Sequence, residues 1–132
     1  MLKISKELDL ALLLMVELTG LKPGESMSLS GFATAKHLPY RFLSKVAAKL
    51  KKARLIVSKE GRDGGYGLSR KAKKIKAGQI FKAVEGKTAP VACLQGQKCL
   101  AQKFCKQRQL LSKLSRVMEK QLNQTSLEEL CR

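Results

Sequence analysis

Tryptophan is absent from this sequence, histidine occurs once, and aspartate and glutamate together supply only 10 of 132 residues. With His37 alone and so few carboxylates, there is no constellation of paired acids and bases of the kind that proton-transfer catalysis needs. A glycine-rich nucleotide loop is missing too, so the chain reads as a non-enzyme. Aromatic residues make up only 5% against 44% hydrophobic, which excludes an aromatic core and points to an aliphatic, helix-packed interior. No C-x2-C pair of the structural zinc type occurs. Long apolar runs are also lacking: Leu8 to Leu18 is interrupted by Asp9 and Glu17 and is too short to span a bilayer. No small-x-small cleavage pattern follows it before Gly20-Leu21-Lys22-Pro23-Gly24. The segment therefore reads as a buried first helix, and the chain as cytoplasmic with no membrane partner. Its length suits one domain and a modest appendage, with no room for a second catalytic domain.

What is present in excess is cation. Lysine and arginine number 27, giving a formal net charge of +17. The excess is concentrated: 14 basic residues lie between Lys36 and Lys76, opposed only by Glu60 and Asp63, a net +12 in that stretch. Such a concentration repels itself, and a polyanion relieves the repulsion by exchanging its condensed counterions for fixed cations. A solvated basic face kept for solubility is the plainer alternative. A membrane surface fits less well, because the cations fall between turn signals and not along one continuous amphipathic helix.

The spacing of Leu10, Leu13, Leu14 and Leu18 predicts a helix from about Ser5 to Thr19, ended by Leu21-Lys22-Pro23-Gly24. Ser28 is placed to cap a short second helix through Phe32, Ala33 and Ala35. After a turn at Lys36-His37-Leu38, Pro39 stands where a first helical residue is expected, since the missing donor costs nothing there. In the third helix Leu43, Val46, Ala47 and Leu50 fall at i, i+3, i+4, i+7, leaving Arg41, Ser44, Lys45, Lys49 and Lys52 on the other face. Two helices joined by a short turn, the second carrying cations and hydroxyls, are the arrangement of a helix-turn-helix whose second helix enters the major groove; an ordinary helical hairpin shares the pattern, and the flanking elements decide between them. Next comes a hairpin wing: strand Leu55 to Lys59, loop Gly61-Arg62-Asp63-Gly64-Gly65, return strand Tyr66 to Ser69. The candidate DNA contacts are Ser28, Pro39, Tyr40, Arg41, Ser44, Lys45, Lys49, Lys52, Lys59, Arg62, Gly64, Gly65 and Tyr66.

A short helix from Ile75 to Val84 ends at Glu85-Gly86. Beyond Pro90 lies a segment with Cys93, Cys99 and Cys105, then a long amphipathic helix marked by Leu110, Leu111, Leu114, Val117, Met118 and Leu122, and a capped final turn at Thr125 to Glu129. The expected architecture is mainly α with a small β-hairpin. It comprises a winged helix-turn-helix DNA-binding domain at 1–88, a cysteine-bearing loop at 89–106, and a dimerisation helix with a C-terminal turn at 107–132. The apolar stripe of the long helix needs burial, which a second copy or its own domain can give.

Taken together these residues resemble the family of bacterial iron-sulfur transcription regulators of the IscR and NsrR type. The carriers are Asp9-Leu10-Ala11-Leu12, Ser28-Leu29, Phe42-Leu43, Leu50-Lys51-Lys52-Ala53-Arg54-Leu55, Gly61 with Gly64-Gly65-Tyr66, Ala83-Val84-Glu85-Gly86, the cysteines at x5 and x5 spacing, and Leu122-Asn123-Gln124-Thr125. The resemblance implies a homodimeric regulator, read as a repressor, that binds a double-stranded DNA operator and senses nitric oxide, redox or iron-sulfur status. It assigns an iron-sulfur cluster, [4Fe-4S] or [2Fe-2S], to Cys93, Cys99 and Cys105. Three thiolates on a short loop can converge on one cluster, and disulfides are disfavoured in the cytosol. For the open fourth position the resemblance offers Asp9, the carboxylate that one branch takes from the partner subunit. The histidine that another branch uses, three residues after the last cysteine, is Arg108 here. Cys131 is a further candidate. Glu60 stands where relatives often carry an arginine just before the first wing glycine. The alternatives are a cluster-free or zinc-binding DNA regulator and a small iron-sulfur electron-transfer protein, and the latter has no use for a basic helix-turn-helix.

Overall fold

The computed structural model describes residues 3–60, 64–86 and 105–132. Its elements run α1 (Lys6–Thr19), α2 (Leu29–Ala35), α3 (Tyr40–Lys52), β1 (Ile56–Lys59), β2 (Gly65–Leu68), a single 3-10 turn (Ala72–Lys74), α4 (Ala77–Glu85), α5 (Gln107–Gln124) and α6 (Leu127–Leu130). This is the mainly helical fold with a two-stranded antiparallel hairpin and a long C-terminal helix that the sequence predicts.

Helices α1 and α2 each start at a serine whose hydroxyl satisfies a free amide. Ser5 caps α1 by accepting from Leu8 N at 3.1 Å, and Ser28 caps α2 by accepting from Gly31 N at 3.2 Å. Pro39, which the sequence suggests as the first helical residue, is instead the N-cap of α3, with φ −71° and ψ 110°, and the helix opens one position later at Tyr40. The Pro39 carbonyl still accepts the first helical bond, from Leu43 N at 3.1 Å, and no N–H is required of Pro39 there.

Helices α2 and α3 end alike. After α2, Leu38 N donates to Ala33 O and His37 N to Thr34 O; after α3, Leu55 N donates to Leu50 O and Arg54 N to Lys51 O. Both pairs are Schellman closures, which turn the chain through a left-handed residue. That residue is His37 (φ 54°) in the first turn and Arg54 (φ 61°) in the second, where glycine would carry no Cβ penalty. The first closure sets the angle between α2 and α3; the second drops Leu55 into the core and launches β1.

One core joins these parts. Leu10, Leu14, Met15 and Leu18 of α1 meet Leu43, Val46, Ala47 and Leu50 of α3, with Phe32 of α2 and Ile80 of α4, all buried. The hairpin pairs Ile56 with Leu68 and Lys59 with Gly65. Its inner edge is also tied to the segment before α2, where Met27 and Tyr66 exchange both backbone bonds at 2.9 Å. Gly65 lies so close to Met27 that a Cβ there would overlap the Met27 carbonyl.

The C-terminus returns to this core. Leu127 N donates to Ile75 O and Ala77 N to Thr125 O, each at 2.8 Å, forming a bridge between Lys76 and Ser126. Leu127 is fully buried, and Ser126 caps α6 by accepting from Glu129 N at 3.2 Å. Gly78 permits the close approach of α4 and α5, with Asn123 of α5 standing where a Cβ would be. Among the described residues no helix is long and apolar enough to cross a membrane.

Gly65→Ala is expected to cost roughly 1–3 kcal/mol in urea unfolding, because a rigid backbone carbonyl must move. Gly78→Ala is expected to cost less, since the obstructing group is the end of a side chain. Leu127→Ala is expected to cost about 2–5 kcal/mol, as for other buried leucines; a loss within the scatter of surface substitutions would mean that the C-terminal turn is not part of the core.

Candidate nucleic-acid interface

The apolar face of α3 is buried completely, which fixes the opposite face outward. Arg41, Lys45, Ala48 and Lys52 recur at i, i+4, i+7, i+11 along that exposed strip. Ser44 is half-buried on one flank of the strip and Tyr40 is exposed at the helix N-terminus. Phe42, also exposed (47%), was missed as a surface group because sequence reasoning attends to an aromatic mainly as a core candidate. The helical projection of α3 could have found it, since residue 42 lies well off the Leu43–Leu50 seam.

The other predicted contacts differ in exposure. Ser28 is exposed, its hydroxyl taken up in capping α2 and lying 3.1 Å from Ser30 Oγ. Lys59 is exposed at the end of β1, and Gly64, Gly65 and Tyr66 are half-buried where the wing rejoins the core. For Gly65 the close approach that excludes a side chain is to Met27. Arg62 lies outside the described residues. Arg70 donates to Arg54 O at 3.3 Å, bracing the left-handed turn from which the wing departs.

Lys49 differs from its neighbours. It sits on the flank of α3 facing α1, where Glu7 takes Lys45 on Oε1 at 2.8 Å and Lys49 on Oε2. Lys49 Nζ also reaches Val84 O at 3.4 Å, at the carbonyl end of α4. The pairing with two ammonium groups, that of Lys45 first, holds the Glu7 carboxyl below the usual carboxylate range. No sequence signal announces it, because Glu7 lies 38 residues before Lys45 and belongs to another helix.

Of the candidate metal residues, the described ones, Cys105, Asp9 and Cys131, do not converge on one point. Cys93 and Cys99 lie outside the described residues. Cys105 is a free, half-buried thiol just before α5. Asp9 is exposed on α1 and lines a mainly apolar groove with Leu12, Leu13, Val16, Phe81, Leu122 and Leu130. This groove lies at the far end of α5 from Cys105: the helix from Gln107 to Leu122 covers about 22 Å at 1.5 Å per residue. Asp9 and Cys105 of one chain thus stand at opposite ends of α5. Cys131, at the end of α6, lies 3.2 Å from Thr19 Oγ1 and 3.3 Å from Leu127 O, again beyond the far end of α5 from Cys105. Among the described residues no group of three or more His, Cys, Asp or Glu side chains converges to hold a metal.

A buried-faced cationic helix following a short helix and a turn, with a hairpin wing behind it, defines a winged helix-turn-helix DNA-binding transcription regulator. Residues 4–132 match the Rrf2 family, described as iron-dependent transcriptional regulators, and the chain belongs to that family. It is 31% identical to the regulator CymR of Bacillus subtilis over 130 residues, covering 98% of this chain and 89% of that one. It is also 30% identical to the protein rrf2 of Nitratidesulfovibrio vulgaris, over 82% of this chain and 73% of that one. Among solved structures it superposes on CymR, the global cysteine regulator of B. subtilis, with a TM-score of 0.79 and 30% identity over 99% and 97% of the two chains. On IscR of T. potens the TM-score is 0.78 with 26% identity, over 98% and 85%. The family is one of transcriptional regulators.

The depressed Glu7 carboxyl has a consequence for stability. A group whose folded pKa lies below its unfolded value, here 4.5, stabilises the fold above that value and loses its contribution as pH falls through the folded pKa. The unfolding free energy of Glu7→Gln is therefore expected to fall below that of the parent near neutral pH, and the two to converge as the pH falls through the lowered folded pKa of Glu7. A difference that persists unchanged at low pH would locate the effect of Glu7 elsewhere.

Proposed function

We propose that this chain is a homodimeric repressor that binds a double-stranded operator through α3 in the major groove, with the wing on the adjacent sugar-phosphate rail. The observation that carries the reading is the exposed strip of Arg41, Lys45, Ala48 and Lys52 backed by a fully buried apolar face. Tyr40 and Ser44 flank the strip and would read base edges or phosphates beside Arg41. Pro39 and Ser28 bring the N-termini of α3 and α2 toward the backbone, where their free amides favour phosphate. Lys59, Arg62 and the Gly64-Gly65-Tyr66 segment would serve the wing contacts. Residues 1–88 form the reading domain on this view, 89–106 the cysteine-bearing segment and 107–132 the pairing helix.

Pairing follows from the exposed face of α5. None of its residues is buried, and Leu110 (68%) and Val117 (66%) stand in solvent with Leu114 between them. A stripe of this kind on an 18-residue helix is covered in a soluble protein by another copy or another chain. Two copies would set two recognition helices about 34 Å apart, one turn of duplex.

A second reading adds sensing. It is favoured by the family's description as iron-dependent, by the likeness to T. potens IscR and by the spacing of the three cysteines. Cys93, Cys99 and Cys105 would hold an iron-sulfur cluster, and their thiolates suit iron. Asp9, about 22 Å of helix away from Cys105 in its own chain, fits as the remaining ligand only toward the cysteines of a second copy. When bound, the cluster supplies a centre reactive toward oxidants and nitric oxide. The likeness to CymR, described as a cysteine regulator, extends over as much of the chain, so DNA binding is assigned here to the protein residues alone, with or without a cluster.

In titrations of a duplex oligonucleotide, log K is expected to fall linearly with log salt, and Arg41→Gln and Lys52→Gln are each expected to make that slope shallower by about 0.9. Absence of any complex at low salt would remove the regulator reading. Leu110→Asp with Val117→Asp is expected to give monomers by sedimentation and weaker operator binding; an unchanged oligomer would reject α5 as the pairing surface. After anaerobic purification, iron and acid-labile sulfide well below stoichiometric, with full duplex binding, is the expected result. Stoichiometric iron and sulfide, together with a change in binding when the cluster is lost, would establish the sensing reading instead.

A further inference from the structure

The acidic residues of this chain are few, and none lies on α3. Within the cationic stretch from Lys36 to Lys76 the only acids are Glu60 and Asp63 of the wing. The recognition helix nevertheless has a carboxylate against it, supplied by Glu7 from the first turn of α1. One oxygen meets Lys45 and the other meets Lys49, one helical turn further on.

The two lysines are held to different degrees. Lys45 keeps 60% of its side chain exposed, on the strip with Arg41 and Lys52, and can meet a phosphate while Glu7 competes for it. Lys49 keeps 34% and is bound on two sides, by Glu7 from α1 and by the Val84 carbonyl from α4. Of the five cations of α3, which are Arg41, Lys45, Lys49, Lys51 and Lys52, one is thus turned into the protein and a second is shared.

A purely structural role for Glu7 explains little. The contact between α1 and α3 is already made by fully buried side chains, among them Leu10, Leu14, Leu43, Val46 and Leu50. Partly exposed ion pairs add little to such an interface. Their effect on a polyanion is larger in proportion. Binding to generic duplex depends on the number of phosphates neutralised, and its logarithm changes by about 0.9 per phosphate for each decade of salt. Recognition of a particular sequence depends in addition on contacts to base edges, which Glu7 does not touch. A carboxylate that withdraws cations from α3 therefore weakens generic binding most.

We propose that Glu7 sets how many recognition-helix cations are available to DNA phosphates, keeping Lys49 out of the interface and competing for Lys45, and so restrains binding to generic duplex. The proposal rests on the DNA-binding reading above and makes Glu7 a positioning residue, since it acts through the two lysines.

The test is fluorescence anisotropy of a labelled duplex of arbitrary sequence, titrated with the full chain between about 50 and 200 mM salt. Glu7→Gln is expected to bind more tightly at the low end and to steepen the salt slope by about 0.9 to 1.8, corresponding to one or two additional phosphates. Lys49→Gln alone is expected to leave the parent slope unchanged. The double variant Glu7→Gln with Lys49→Gln should lose about 0.9 of the gain, and Glu7→Asp, which keeps the charge, should stay near the parent. Far-UV circular dichroism and melting establish that each variant is folded. A folded Glu7→Gln with an unchanged or shallower slope, or a Lys49→Gln whose slope falls by about 0.9 in the parent background, would overturn the proposal. Should Glu7→Gln not fold, the Lys49→Gln result decides alone. A parent protein that binds no duplex at low salt would instead overturn the DNA-binding reading on which the proposal stands.

Discussion

The burial of one face of α3 against α1 is the contact on which the rest of this structure depends. Leu43, Val46, Ala47 and Leu50 are sealed by Leu10, Leu14 and their neighbours, so α3 cannot rotate without exposing four apolar side chains. Because that face is fixed, the positions half a turn away are fixed also, and they carry Arg41, Lys45 and Lys52. The interface proposed for DNA is thus the complement of a hydrophobic contact. The two left-handed closures at His37 and Arg54 work in the same direction, since each ends a helix and directs a leucine, Leu38 or Leu55, back toward the core.

The second constraint is the return of the chain end. The bridge between Ser126 and Lys76, with Leu127 in the core, locks the last turn of α5 onto α4, while the earlier part of α5 presents Leu110, Leu114 and Val117 to solvent. One helix therefore has an anchored end and an end whose apolar stripe is exposed. Cys105 precedes the exposed end, and Asp9 lies beside the anchored one. That separation keeps Asp9 and Cys105 of one chain apart, and Cys131, held near Thr19, likewise stands apart from Cys105.

The charge of the molecule is similarly uneven in its availability. A count over the sequence treats every lysine of α3 as equal, whereas the fold turns Lys49 toward Glu7 and Val84 and leaves Arg41 and Lys52 outward. Glu7 is among the few acids in a strongly basic chain, and it lies against the helix proposed to read DNA.

Local chemistry is what the sequence by itself determined: the start of α1 near Ser5, the Ser28 cap, the 3.6-residue period of α3, the hairpin before Tyr66 and the capped turn within Thr125 to Glu129 depend on residues a few positions apart, and each is present. The family resemblance was legible for the same reason, since ordered short motifs carry it. Tertiary structure alone decided that Pro39 caps α3 instead of opening it, that Gly65 is required by Met27, that Leu127 closes the core beside Ile75, and that Glu7 holds Lys45 and Lys49. In the last three the partners lie between 38 and 52 residues apart on elements whose mutual placement follows from burying one common core, and no local pattern in a sequence encodes such a distance.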